Sequence, residues 1–450
     1  MAPMSPTHSS YDVVVIGGGP AGSTVATLLA RAGRRVLVLE REHFPRYHIG
    51  ESLLSATLPI LKHVGVLPAV EAAGFIRKPG GTFVWGSSAE PWSFWFAEDP
   101  GGYTHAFHVV RSEFDEILLR HAQKQGAEVR EGVTVEDIDG EGPFVVHARA
   151  EDGAAIRIDC AHVVDASGQN AILGRRERLR EFNPFFKNLA LWSYYEGAAR
   201  LDAPHTDNIL SAAHAEGWCW YIPLHDGTMS VGTVVDASRW RERAKAATLE
   251  ATYDELIAGC APVHRMLQGA RRVAAVRVIR DYSYSSKRFF HGAALLAGDA
   301  ACFIDPVFST GVHLACLSGL LAADCLDDVL AGRRTIDAAF QSYDSAYRNA
   351  FERYRRFLVY FYNHHSATDS YFWQARKLVD PEGTLELREA FVRLISGTGD
   401  IPVDVTAIEQ VDARWRESLE TSRPDKAPGI HLMRVATTLG EMRRSQRNSA

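Results

Sequence analysis

No segment of the 450-residue chain approaches the roughly 20 consecutive apolar residues that a membrane-spanning helix needs, and no long block of like charge interrupts it. A bilayer is therefore not an expected partner. The 49 basic residues are scattered among 55 acidic ones, and a net charge of -6 offers no basic field for nucleic acid. Six cysteines, Cys160, Cys219, Cys260, Cys302, Cys316 and Cys325, fall at no C-x-x-C spacing. That argues against a disulfide framework and a zinc site, and leaves them as small core residues. His364 and His365 are adjacent, so a helix cannot turn both to one site, and no metal is expected. Residues Met1 to Ser10 hold no basic stretch leading into an apolar one, so the expected location is the cytoplasm. With 46% hydrophobic and 23% charged residues and no repeat, the chain reads as globular, long enough for two intertwined domains, with a small ligand.

From Tyr11 the segment YDVVVIGGGPAGSTVATLLARAGRRVLVLER runs from an apolar β-branched stretch through a glycine turn into Ala/Leu periodicity that ends at Gly33, then a second apolar stretch. This predicts a βαβ unit. Its turn, Gly17 to Gly22, fits G-x-G-x-x-G: Gly17 permits the turn, Gly19 admits a pyrophosphate close to the backbone, and Gly22 packs helix on strand. The helix N-terminus attracts phosphate charge, and Glu40 ends the second strand where a carboxylate can accept ribose hydroxyls. Cofactor contacts are thus expected from Gly17, Gly19, Pro20, Ala21, Gly22, Glu40 and Arg41. A distant segment, Gly298-Asp299-Ala300 after the strand ALLA, offers a carboxylate to a ribityl chain and selects FAD over NAD. No second G-x-G-x-x-G occurs, so reduced flavin is expected from a separate flavin reductase.

Further along, Arg111 to Gln125 predicts a helix with Phe114, Ile117, Leu118 and Ala122 on its apolar face, followed by strands near 129–138 and 144–150. CAHVVDASG reads as a buried strand ending in a turn. Between about 183 and 278 the pattern becomes alternating and aromatic-rich, as suits an antiparallel sheet. A small-residue helix and a helical tail come after. The expected organisation is an FAD-binding domain over 10–87, 105–182 and 279–330, a substrate domain over 88–104 and 183–278, and a helical region over 331–450. Within that region Tyr347, Phe351, Tyr354, Leu358 and Phe361 form one aromatic stripe, read as core before tunnel lining.

Three segments carry a family resemblance. Trp218-Cys219-Trp220-Tyr221-Ile222-Pro223 fits W-x-W-x-I-P, Phe303 to Gly311 fits F-x-x-P-x-x-S-x-G, and Lys78 lies in GFIRKPGGTFVWG, with GES at Gly50 to Ser52 and DYSY at Asp281 to Tyr284 in register. From Tyr11 to about Trp373 the chain resembles the FAD-dependent halogenases of natural-product biosynthesis, freestanding or carrier-dependent, of the chloramphenicol and chondrochloren kind. Nothing comparable is recognised beyond about Leu378. The resemblance implies an α/β (α+β) fold: a Rossmann-type FAD-binding domain of the glutathione-reductase/hydroxybenzoate-hydroxylase type, an antiparallel-sheet substrate domain and a helical C-terminal region. It also implies an enzyme that uses FADH2, O2 and chloride or bromide to make hypohalous acid and halogenate an electron-rich aromatic unit, free or held on an acyl-carrier protein.

The resemblance assigns the active amine to Lys78, as chloramine-forming nucleophile when neutral or as hydrogen-bond donor to hypohalous acid when charged; the sequence does not choose. It gives the halide to the backbone amides of Thr310 and Gly311 at a helix start, and adds Arg111, Pro306 and Gly311 to the flavin contacts. Trp218 and Trp220, two apart on a strand, present their indoles on one side, where they can wall substrate off from flavin together with Ile222 and Pro223. Tryptophan halogenases place Glu immediately before Ser-Thr-Gly. Here that position is Phe308, which puts a second carboxylate in doubt and points toward phenol- or pyrrole-type substrates. A flavin hydroxylase of the same fold is the alternative reading.

Overall fold

The computed structural model of the chain describes residues 10–85, 90–99, 102–237, 240, 247–363 and 387–398. The His364/His365 pair and the expected helical tail beyond 398 lie outside the described residues. The valine-rich strand Ser10–Ile16 sits in mid-sheet, parallel to Val36–Leu39 on one side and to Ala155–Asp165 on the other, and Ala294–Leu296 adds a further parallel strand. Val13, Val14 and Val15 are wholly buried, as both-face burial demands of a strand without polar alternation. Helix Pro20–Arg31 follows the glycine turn, with every residue from Pro20 to Leu29 buried. Helix Gly311–Leu330 packs across it. Helix Arg111–Lys124 buries Phe114, Leu118 and Ala122 as its periodicity predicted. Among the described residues no helix is long and apolar enough to cross a membrane.

The second sheet runs in the order Cys302–Phe303, Arg277–Ser286, Arg180–Glu196, Met229–Asp236, Gly217–Pro223, Ile209–His214, Gly80–Val84 and Trp92–Trp95. Its centre is antiparallel, as the aromatic alternation predicted. The addition is Gly80–Val84, a strand from early in the chain that pairs in parallel with Ile209–His214. Along Met229–Asp236, Gly232 stands opposite Trp220, and a Cβ placed there would lie 2.2 Å from the indole Cζ2. The missing side chain is the space the ring fills. Gly232→Ala therefore overpacks the sheet and is expected to cost about 1–3 kcal/mol, read as a lower denaturation midpoint with altered tryptophan fluorescence.

Helix Ile336–Asn363 carries the predicted aromatic stripe. Tyr347, Phe351, Tyr354, Leu358 and Phe361 are at most 1% exposed, so the stripe is core. Phe361 stacks obliquely on Trp85, with ring centroids 4.7 Å apart. All six cysteines are buried and free.

Candidate functional site

The loops after the carboxyl ends of three parallel strands, at Gly17, Ala166 and Ala297, converge on one cavity of about 960 Å³. Open α/β sheets bind ligands at this place. The turn at Gly17 has φ +101°, and a Cβ there would lie 2.5 Å from the Ala166 carbonyl oxygen. A Cβ on Gly22 would lie 2.0 Å from the Gly17 oxygen. Helix Pro20–Arg31 starts with Pro20 at its first turn, no acidic residue and no side-chain cap, so its leading amides face the cavity without a protein anion. Glu40 accepts hydrogen bonds from the Gly18 amide at 2.7 Å and the Glu42 amide at 2.9 Å, which pins its carboxylate at the cavity edge.

Of the residues singled out by sequence, Gly17, Gly19, Pro20, Ala21, Glu40, Arg41, Arg111, Asp299, Pro306, Gly311, Trp218, Trp220 and Ile222 line this cavity. Gly22, Lys78, Pro223, Phe308 and Thr310 stand outside its wall. Gly22 lies one layer beneath the turn that it supports. Phe308 is buried against the Phe357 ring, with centroids 5.2 Å apart. The Trp218 and Trp220 centroids are 6.1 Å apart, both indoles are buried, and both reach the wall from strand Gly217–Pro223.

Arg111 is not a solvated helix-start charge. It is 5% exposed, grips both oxygens of Asp115 at 2.8 and 2.9 Å, and donates to the carbonyls of Ile49 and Gly50. Burial alone would raise the Asp115 carboxyl, and Arg111 and Arg46 reverse that, holding it below the usual carboxylate range. Arg46 reaches the same carboxylate at 2.8 Å and lines the cavity beside Gly19. Sequence reasoning missed Arg46 and Asp115; the available signal was Asp115 four residues after Arg111 on one helix face. Asp299 follows Gly298 in the short turn Gly298–Ala300, and burial raises its carboxyl to about 6 against the pull of Arg111 and Arg180.

Lys78 ends the strand Ile76–Lys78 and is 2% exposed. Its ammonium donates to the Leu53 carbonyl at 3.0 Å and sits 5.4 Å from the Phe96 ring centroid. Among the described residues no carboxylate pairs with it. Burial pulls its amine down to about 7.

Thr310 precedes helix Gly311–Leu330, whose first turn holds no acidic residue, and its buried Oγ1 has no hydrogen-bond partner among the described residues. Ser309 before it is left-handed, φ 60°, which costs about 1–3 kcal/mol in a residue other than glycine. Asp305 holds the loop by accepting from the amide of Val307 and the side chains of Asn188 and Tyr362. The glycine cradle, the uncapped helix start and the pinned Glu40 fit a dinucleotide. The sealed, unpartnered Thr310 hydroxyl beside a helix start fits a small anion.

The tryptophan halogenase family model matches residues 12–101 and 98–406. The tryptophan 2-halogenase of Chondromyces crocatus is 38% identical over 405 residues, covering 87% of this chain and 77% of that protein. The 1H-pyrrole-2-carbonyl peptidyl-carrier-protein chlorinase of Pseudomonas fluorescens is 33% identical over 376 residues, covering 78% and 83%. The solved myxobacterial chondrochloren halogenase superposes with a TM-score of 0.75 at 42% identity, covering 88% of this chain and 92% of that one. The chondrochloren halogenase is FAD-dependent, which the cavity built here fits, and all three relatives favour halogenation over the hydroxylase alternative. With a family match across most of its length, an FAD cradle and the resemblance first carried by its tryptophan pair, the chain belongs to the tryptophan halogenase family of FAD-dependent halogenases.

Proposed function

We propose that the chain chlorinates an electron-rich phenolic or pyrrole-like unit, free or tethered to a carrier protein, with Lys78 as the active amine. The observation that carries this reading is a lysine sealed in the interior that, among the described residues, has one backbone carbonyl as its hydrogen-bond partner and no counter-ion. Such burial costs stability and packs nothing that an apolar side chain would not pack as well. FAD, reduced outside the chain by a flavin reductase, supplies with O2 the oxidising equivalents that convert chloride to hypochlorous acid. In the proposed division the first sheet and its helices hold FAD, through Gly17, Gly19, Pro20, Ala21, Gly22, Glu40, Arg41, Arg111, Asp299 and Pro306. The second sheet meets the substrate.

Each residue then has a chemical task. The amides at Thr310 and Gly311 hold chloride where the helix start favours an anion. Trp218 and Trp220, with Ile222 and Pro223, keep substrate from the oxidant's source. Neutral Lys78 attacks the chlorine of hypochlorous acid, forming N–Cl and releasing hydroxide. The ring carbon then takes the chlorine, the amine is restored, and the ring's proton leaves with the hydroxide as water. Charged Lys78 instead donates a proton to the acid's oxygen, which departs as water when the ring attacks chlorine, and the ring's proton then returns to the amine. Phe308 supplies no carboxylate, which suits rings activated by their own oxygen or nitrogen. The carrier-bound pyrrole of the Pseudomonas relative supports the tethered form. Six free buried thiols suit a reducing cytoplasm.

With added flavin reductase, NADH, oxygen and chloride, the protein is expected to turn phenols or a carrier-bound pyrrole into products that show the chlorine isotope pair by mass spectrometry. Rapid, substrate-stimulated NADPH oxidation without the reductase, giving a hydroxylated product, would overturn the reading in favour of a hydroxylase.

A further inference from the structure

Making hypochlorous acid consumes a proton. Neutral FADH2, O2, chloride and one proton give FAD, hypochlorous acid and water, and the later exchange of ring hydrogen for chlorine releases no net proton. A buried cavity must therefore be supplied. One wall residue not used by the mechanism above is Glu51, 3% exposed, whose Oε2 is buried with no hydrogen-bond partner among the described residues. Its Oε1 accepts from the Tyr194 hydroxyl at 2.6 Å. The Tyr194 oxygen lies 2.9 Å from the Tyr47 hydroxyl, and the Tyr47 oxygen accepts from the Trp192 indole at 2.5 Å. Tyr47 is 40% exposed.

The ends of this row fix its direction. An indole N–H can only donate, and a carboxylate can only accept. With Trp192 donating at one end and Glu51 accepting at the other, both tyrosine protons point toward Glu51. We propose that Tyr47 and Tyr194 form a one-way proton relay from solvent to Glu51 at the cavity wall. A solvent proton arrives on the Tyr47 oxygen as the Tyr47 proton moves to Tyr194. The Tyr194 proton moves to Glu51, which becomes a neutral acid. Both tyrosines are left neutral, so neither phenolate is stored.

The surroundings suit the task. Burial lifts the Glu51 carboxyl to about 7, against the pull of the Tyr194 and Ser230 hydroxyls and the Arg111 charge and with Asp226 adding to the lift, so the acid can both load and release near neutrality. Burial and the nearby Glu51 raise the Tyr194 hydroxyl, which keeps it protonated between transfers. Tyr47 is likewise raised by burial, although the Arg277 guanidinium lies 3.8 Å over its ring centroid.

The relay rests on the halogenase reading for its purpose, but its test needs no turnover. In protein loaded with oxidised FAD, a rapid pH jump is followed by time-resolved infrared at the protonated-carboxyl stretch. Glu51→Gln is expected to remove one component of the band, leaving that of other raised carboxyls such as Asp299, and Tyr194→Phe and Tyr47→Phe each to slow the Glu51 component about 10-fold or more while keeping its amplitude. An undiminished band in Glu51→Gln, or wild-type rates in both tyrosine variants, overturns the relay. Tyr47→Phe removes one oxygen at a partly exposed position, so the test stands even if Tyr194→Phe folds poorly. Visible absorbance reports bound FAD separately, and its absence would remove the flavin reading and the relay's purpose together. If flavin binds and the band behaves as expected but no chlorinated product forms, the halogenase reading fails while the relay stands.

Discussion

Replacing Lys78 with alanine is expected to cut kcat for halogenated product about 10²–10⁴-fold, while reduced flavin goes on being consumed. The oxidant then leaks, and an added thioether or 1,3-diketone traps it in the variant more than in the wild type. A variant with full chlorinating activity would remove Lys78 from the chemistry. A second readout separates a working lysine from a packing one. Burial depresses the amine from an ordinary 10.5 to about 7, so the unfolded chain binds the proton more readily than the folded one. The resulting destabilisation is fully present below about pH 7 and disappears as pH rises toward 10.5. Lys78→Met, which keeps the length and removes the charge, is therefore expected to raise the melting temperature at pH 6, by a margin that shrinks toward pH 10, and still to chlorinate nothing. The sign of the rate profile chooses between the two roles. A nucleophilic amine gains activity as pH rises through about 7, and an ammonium donor loses it. Because Glu51 titrates in the same range, the comparison is made with Glu51→Gln as background.

Gly22→Ala is expected to weaken FAD binding about 10–100-fold, measured by flavin fluorescence titration of the FAD-free protein. The added methyl would meet the Gly17 oxygen at 2.0 Å and Val15 Cγ1 at 3.2 Å. Neither can swing aside: one is backbone in the turn itself, the other a valine in the central strand. Helix Pro20–Arg31 must lift, and its leading amides move with it. Overpacking of this kind costs about 1–3 kcal/mol, and each 1.4 kcal/mol taken from the bound state is about tenfold in Kd. An unchanged Kd would show that the turn is not the cradle.

What was readable in the sequence was what neighbours in the chain determine. The βαβ unit, the glycine turn and the alternation that turns Trp218 and Trp220 the same way are settled within a few residues of each other. What was not readable depends on chain segments far apart. Lys78 looks like a surface lysine among glycines, and it is buried because the three-residue strand that it ends pairs with Ala106–His108. Gly80–Val84 reads as part of the first domain and pairs instead with a strand more than a hundred residues later. Arg111 was recognisable as a flavin-site arginine but not as half of a buried pair, because Asp115 shows its value only once Arg46 arrives from another loop. The row from Trp192 to Glu51 joins two segments separated by about 140 residues, and no local pattern announces it.

Three of the interior thiols acquire a meaning from the chemistry around them. Hypohalous acids attack sulfur readily, and the anionic form of a thiol is the one that reacts. Burial pushes Cys160 and Cys316 up to about 12 and raises Cys302 as well. Cys302 lies one residue before Phe303, which faces the cavity, and Cys316 one residue after Ala315, which also lines it. An enzyme that generates its own corrosive intermediate thus keeps the two thiols beside the cavity buried and uncharged, so that a molecule of oxidant straying within it meets tryptophan and backbone before it meets a thiolate.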